Sequence, residues 1–267
     1  MLDARLSAAS RSLLEGTGVP ASVAPYFRST DAAEAVGRDT SASQLSLPRP
    51  PNEMGGWPRI GQDSLAQVCV RPDGIVQAVM LTDAADDMFV SSNLAAFNMS
   101  LLALDHAQTQ LATSSGLAES ASVLSDLDVE VRRIDAHAMA ERENWWPRVL
   151  DDVRHTLNFP FSAAFEYIDG AQAKHVITDA TGPGRLHPEE IIWERLSAEG
   201  VAPAQVLRVY CELEPCLMPG HYCAVWMQET FPHAHFSHSF DYGDTADSRE
   251  AGLKELITHA AKQSRRQ

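Results

Sequence analysis

Three of the chain's four cysteines, Cys211, Cys216 and Cys223, lie within thirteen residues of one another, and upstream, with one strand between it and Pro215-Cys216, stands His187-Pro188-Glu189. Proline has no backbone N–H to lose in the first turn of a helix, so Pro188 fits an opening turn, with His187 at or near the cap and Glu189 beside it. Residues 205–213 read as a strand with apolar side chains on both faces, which suits a central position. Pro215-Cys216 then leads toward a second helix that Cys223 enters. A chain in this order must bring two helix N-termini to one end of a strand. Their positive ends favour thiolate over thiol, so His187, Cys216 and Cys223 together offer three ligands to a charged ion.

The pattern around these motifs is α/β. Residues 163–168 alternate as a strand, Asp169-Gly170 makes a turn, and residues 174–179 form a second strand. Gly182-Pro183-Gly184 leads into a helix over 188–198. After the third strand come a helix over 222–230, a strand over 234–240 and an amphipathic helix over 248–262. The order β-β-α-β-α-β-α predicts a three-layer α/β/α domain.

The first half reads differently. Residues 4–14 form an amphipathic stretch in which Leu6, Leu13 and Leu14 share one helical face, and Gly16-Thr17-Gly18 stops it. Residues 39–56, with Pro48, Pro50 and Pro51, read as an exposed loop. Two strands, 64–70 and 75–81, flank Arg71-Pro72-Asp73-Gly74, where Pro presets one φ angle and Gly permits a positive one, so a hairpin is expected. Residues 91–111 read as a helix capped by Ser91 or Ser92, with Leu94, Phe97, Leu101 and Leu104 on one face. Trp145 and Trp146 are expected to staple a closing helix to the core. That helix ends at Val153 and gives way to Leu157-Asn158-Phe159-Pro160, which predicts two domains, 1–155 and 156–267, an α+β domain followed by the α/β one.

Composition excludes several classes. No apolar run reaches the roughly 20 residues that span a bilayer, and Met1-Leu2-Asp3-Ala4-Arg5 lacks the order of a secretory signal. A cytoplasmic location with reduced thiols is the expectation, in which a tight cysteine cluster points to metal or chemistry rather than to disulfides. Cys69, within Val68-Cys69-Val70, reads as a small buried hydrophobe. The net charge is −15. From Thr156 onward nine Lys and Arg stand against fifteen Asp and Glu, leaving −6 there and −9 before it. Neither half has the basic surface that gives a protein non-specific affinity for duplex DNA.

Two resemblances follow from these residues. Gly18-Val19-Pro20, Pro25-Tyr26-Phe27, the hairpin, Phe89-Val90-Ser91-Ser92-Asn93 and Trp145-Trp146-Pro147, over residues 10 to 155, resemble the fourth family of the SUKH immunity-protein superfamily. This implies an α+β binding module that shields a cell against a toxin partner and carries no catalytic residues. Arg185-Leu186-His187-Pro188-Glu189-Glu190, the string from Tyr210 to Cys216, and Gly220-His221-Tyr222-Cys223 make residues 160 to 245 look like the nucleic acid or nucleotide deaminase domains of bacterial polymorphic toxin systems. His187-Pro188-Glu189 then matches the His-x-Glu of the zinc deaminases, and Pro215-Cys216 with Cys223 their Pro-Cys-x-x-Cys. The resemblance implies zinc held by His187, Cys216 and Cys223, with Glu189 as the catalytic acid-base. Six residues separate Cys216 from Cys223 where the best-known deaminases have two, so His221 or Cys211 could compete for a coordination position and close the site.

Weaker candidates accompany this set. His233 and His235 would share a strand face at period two, Gly182-Pro183-Gly184 could line a pocket mouth, and Glu190 is a partner behind the ligands or a solvated acid at a helix start. Asp83, Asp86 and Asp87 form an acidic run, read as a solvated loop or a toxin-facing surface. Arg185, Arg195 and Arg208 could form a local basic groove. The expected activity is hydrolytic removal of an exocyclic amine, of cytosine type rather than adenine type, from a free nucleotide or a short single strand. The competing expectation is a non-enzymatic immunity protein whose second domain keeps zinc only for structure. No substrate-binding residue is assigned.

Overall fold

The computed structural model describes residues 6–30, 56–82, 85–158, 160–182 and 186–264. The proline-rich loop, apart from Gly56, lies outside them, as do Asp83, Pro183, Gly184 and Arg185. The chain is mixed helix and strand and divides into two compact units, Met1–Asp151 and Asp152–Gln267. The division falls four residues before the junction read from sequence.

The first unit holds a six-stranded antiparallel meander, β1 (Ser22–Val23), β2 (Phe27–Ser29), β3 (Arg59–Asp63), β4 (Ala66–Val70), β5 (Val76–Met80) and β6 (Met88–Ser91), in that spatial order. The expected hairpin is β4–β5, closed by Gly74 at positive φ, with Gly74 N–H donating to the Arg71 carbonyl. Cys69 in β4 is fully buried, as a small hydrophobe should be. Helix α1 (Ala8–Gly16) precedes the sheet, and α2 (Leu94–Thr113) and α3 (Leu117–Ile134) follow it and pack together. The apolar face expected of α2 is buried at Leu94, Phe97, Leu101 and Leu104. Its cap is Asn93, whose side chain accepts from Ala96 N–H, and neither Ser91 nor Ser92. Ser91 is taken up as the last residue of β6, while Ser92 donates through its N–H and hydroxyl to Asp135 at the far end of α3.

Helix α4 (Trp145–Asn158) opens with the two tryptophans, both fully buried and packed edge to face. Trp145 also meets Phe97 and donates its indole N–H to buried Asp63 at 2.6 Å, so the stapling role read from sequence has a polar anchor as well as an apolar body. The helix does not stop at Val153 but runs on to Asn158.

The second unit holds a four-stranded sheet of β7 (Ser162–Ile168), β8 (Lys174–Ala180), β9 (Val206–Leu213) and β10 (His235–Phe240), in the spatial order β10-β9-β7-β8. Only β10 and β9 run parallel. Helices α5 (Pro188–Ala198), α6 (Cys223–Thr230) and α7 (Ala246–Ser264) complete it. The sequence order of elements is the expected one, and α5 has the expected bounds because Pro188 fixes its first turn.

Phe161, Phe165, Val209, Leu213, Ile192, Leu196, Met227, Phe231 and Leu256 form one continuous core. One expectation fails in β9. The strand is internal, but only one face is apolar and buried (Val209, Cys211 and Leu213), whereas Arg208 and Tyr210 point outward and are exposed.

Candidate active site

The cap of α5 and the start of α6 meet at the end of β9, and the three sequence-selected ligands converge there. His187 Nδ1 lies 3.4 Å from the Cys216 sulfur and 3.5 Å from the Cys223 sulfur. All three side chains are buried. Tetrahedral zinc, at about 2.3 Å from sulfur and about 2.0 Å from nitrogen, holds such N and S ligands roughly 3.5 Å apart. The observed spacing therefore fits zinc.

The six-residue interval between the cysteines is accommodated by a tight return. The Met218 carbonyl accepts from the N–H groups of His221 and Tyr222, Gly220 and Tyr222 take positive φ, and the Cys216 carbonyl accepts from Ala224 N–H in the first turn of α6. This carries Cys223 back beside Cys216.

The candidates for a closing fourth ligand are engaged elsewhere. His221 lies flat against the His187 ring, 3.8 Å between centroids, and its two nitrogens face carboxylates: Nδ1 is 2.7 Å from Glu190 Oε2 and Nε2 is 3.1 Å from Asp152 Oδ2. Burial opposes its charge and so does His187, but Asp152 and Glu190 outweigh both and hold His221 at about 9. Cys211, on the buried face of β9, gives its thiol to Glu189, and burial beside that carboxylate pushes the thiol far above its ordinary range.

Glu189 is buried, and its Oε2 has no hydrogen-bond partner among the described residues. Burial raises its pKa, against the pull of His187 and of the Cys211 hydrogen bond. Burial also opposes ionisation of Cys216, yet the donating Cys223 thiol and His187 keep Cys216 well below the usual thiol range. Glu190 accepts from His187 N–H at 2.9 Å as the third residue of a capping box and also faces His221, so it is tied to these two histidines rather than solvated.

His187, Glu189 and Cys216 line a small cavity that Phe161, His155 and Tyr242 close, with room for roughly one water. A base ring enters only if some of these side chains move.

Residues 2–152, more than half of the chain, match the family model for SUKH-4 immunity protein. The chain belongs to the SUKH-4 immunity protein family. Residues 160–259 of this SUKH-4 protein match the model for Xanthomonas-like deaminase, so it carries a deaminase-like domain after the immunity-family span. No curated protein and no solved structure matches it.

The remaining sequence candidates do not join the site. His233 lies ahead of β10 rather than on it, so it does not share a strand face with His235, and both are exposed. His238 faces Asp241 at 3.0 Å in an exposed acidic group with Glu214, whose Oε2 is already used by the Tyr242 and Gly243 N–H groups. Arg195 is turned to Asp179, and Arg208 stands on the outward face of β9. In the acidic run, Asp87 accepts from Met80 N–H, a structural use rather than a solvated one.

The SUKH-4 protein also places Asp152 and His155, two α4 residues without any motif, against the cluster. His155 is buried and held neutral: burial, with Arg154 nearby, lowers its pKa from 6.5 to about 3. Its Nε2 faces the Arg154 guanidinium, which can only donate, so Nδ1–H donates to the Tyr242 hydroxyl oxygen at 2.5 Å. The unfolded chain binds this proton more readily than the folded one. The associated stability is therefore complete above about pH 6.5 and is lost as pH falls toward about 3, by up to about 1.4 kcal/mol per unit. Hydrogen exchange of β9 amides between pH 7 and pH 4 should show faster opening on acidification, and His155→Gln should flatten that dependence.

Proposed function

We propose that the second unit is a zinc-dependent hydrolytic deaminase acting on a nucleobase, of cytosine type by preference, in a nucleotide or a single-stranded nucleic acid. The immunity-family unit before it is read as a binding module for a toxin or immunity partner. The observation that carries the enzymatic reading is the pairing of a three-ligand cluster with a buried, unpartnered carboxylate oxygen on Glu189. A metal kept only for structure needs a fourth protein ligand. His221 and Cys211, the two candidates for that position read from the sequence, are instead bound to carboxylates.

His187, Cys216 and Cys223 would hold the zinc, which supplies the Lewis acidity that makes water a nucleophile near neutral pH. Glu189 would take the proton from the attacking water and pass it to the departing amine, so that the ring gains oxygen and nitrogen leaves as ammonia. Burial raises its pKa, and a carboxylate made more basic in this way takes a proton from water more readily than an ordinary one. Cys211 holds one oxygen of that carboxylate, leaving the other for substrate and water. Phe161 and the His155–Tyr242 pair keep bulk water out of the cavity.

The test is metal content together with ammonia release from cytosine, adenine and guanine nucleosides, nucleotides and single-stranded oligonucleotides. One equivalent of zinc with ammonia from a cytosine substrate is the expected result. Zinc with no turnover on any of them would shift the reading to a structural-metal immunity protein, and a chain without zinc would remove its basis. No described helix is long and apolar enough to cross a membrane.

A further inference from the structure

We propose that Asp152 is a positioning residue of the metal cluster, holding the His187 ring so that Nδ1 faces the two cysteine sulfurs. The inference rests on the deaminase reading above, with His187 as a ligand. Asp152 is the last residue of the span matched to the SUKH-4 family and the first residue of the second unit, eight residues upstream of the deaminase-matched span. The cluster is thus completed by a residue that neither the His-Pro-Glu string nor the cysteine string contains.

The geometry forms a closed ring of contacts. Asp152 is buried, and it spends its two oxygens on two histidines: Oδ1 lies 3.2 Å from His187 Nε2 and Oδ2 lies 3.1 Å from His221 Nε2. His221 continues through Nδ1 to Glu190, and Glu190 returns to His187 by accepting its backbone N–H. The stacked rings, 5° from parallel, leave His187 little freedom to turn.

An imidazole that gives Nδ1 to a metal carries its proton on Nε2, and the partner of that proton fixes both tautomer and ring orientation. For His187 the group within reach is Asp152. The Nε2–H is not yet aligned as a hydrogen bond, so a small rotation of the ring on metal binding would complete the contact. An asparagine could give its oxygen to only one of the two histidines and would turn an NH₂ group toward the other. His187 would then lose either its acceptor or its neighbour's support.

The experiment uses the full chain. Zinc affinity is measured by competition with a chromophoric chelator for the parent and for Asp152→Asn, and the cobalt-substituted forms are compared by absorption. Asp152→Asn is expected to bind zinc about 10- to 100-fold more weakly, with altered cobalt–thiolate bands. In the zinc-loaded parent, ¹⁵N–¹H correlation of the His187 ring should find the proton on Nε2 and the metal on Nδ1, which needs no variant to fold. Unchanged zinc affinity and cobalt bands in Asp152→Asn, or metal on Nε2 in the parent, would overturn the proposal while leaving the deaminase reading intact. A parent that binds no zinc would bring down that reading and this inference with it.

Discussion

Replacing Glu189 by glutamine is expected to cut deamination by about 10²- to 10⁴-fold, the range for loss of a general acid-base group, while zinc content stays at one equivalent. Glutamine keeps the volume of the side chain, so the core around α5 has no cavity to absorb. Its carbonyl can still accept from the Cys211 thiol, the hydrogen bond that Glu189 accepts in the parent. What it cannot do is receive a proton from water and return it. The parent should also show an acidic limb in its rate profile. Burial raises the Glu189 pKa, and because the ionised form is needed to take the first proton, activity falls as pH drops through that raised value. The limb therefore sits above the usual carboxylate range and vanishes with the variant. Ammonia release against pH, with metal analysis on the same samples, makes the measurement. Turnover of Glu189→Gln within tenfold of the parent would mean that the acid-base lies elsewhere, and loss of its zinc would mean that Glu189 is a ligand.

How much of this was legible in the sequence depended on whether a residue's neighbours in the chain are also its neighbours in space. Pro188 sets the start of α5 by local sterics, and His187 and Glu189 follow from it within one turn, so that part of the site could be read directly. The return of Cys223 to Cys216 was open in the sequence, because the interval is long and its closure depends on carbonyl acceptors such as Met218 that no pattern marks. Asp152 was missed for a different reason. One of two adjacent acids, Asp151 and Asp152, in the middle of an amphipathic helix looks like any solvated helix residue, and only its approach to the rings of His187 and His221 marks it out. In the first unit the same rule holds. The β4–β5 hairpin followed from its turn residues, whereas the cap of α2 fell to Asn93 because Ser92 was drawn away by Asp135, more than forty positions along the chain. The expectation of two apolar faces on β9 failed where Tyr210, a large residue readable as buried, instead stands outward with its hydroxyl on Ser239.

Removing single cysteines separates the two readings of the metal most sharply. Cys216→Ala and Cys223→Ala are each expected to weaken zinc binding by more than the roughly 100-fold upper range for a partner behind a ligand, and to abolish turnover with it. Each sulfur is about 3.5 Å from His187 Nδ1, so either change leaves two ligands, too few for a zinc site of this kind. Cys211→Ala is the informative contrast. Its thiol is given to Glu189 rather than to the cluster, and that hydrogen bond lowers the carboxyl pKa. Deleting it should leave zinc in place and move the acidic limb of the rate profile to higher pH. Chelator competition and the rate profile read the two effects independently. If Cys211→Ala instead loses zinc as the other two do, the coordination shell is closed by four protein ligands. Water then has no place on the metal, and the second unit is held by zinc rather than made catalytic by it.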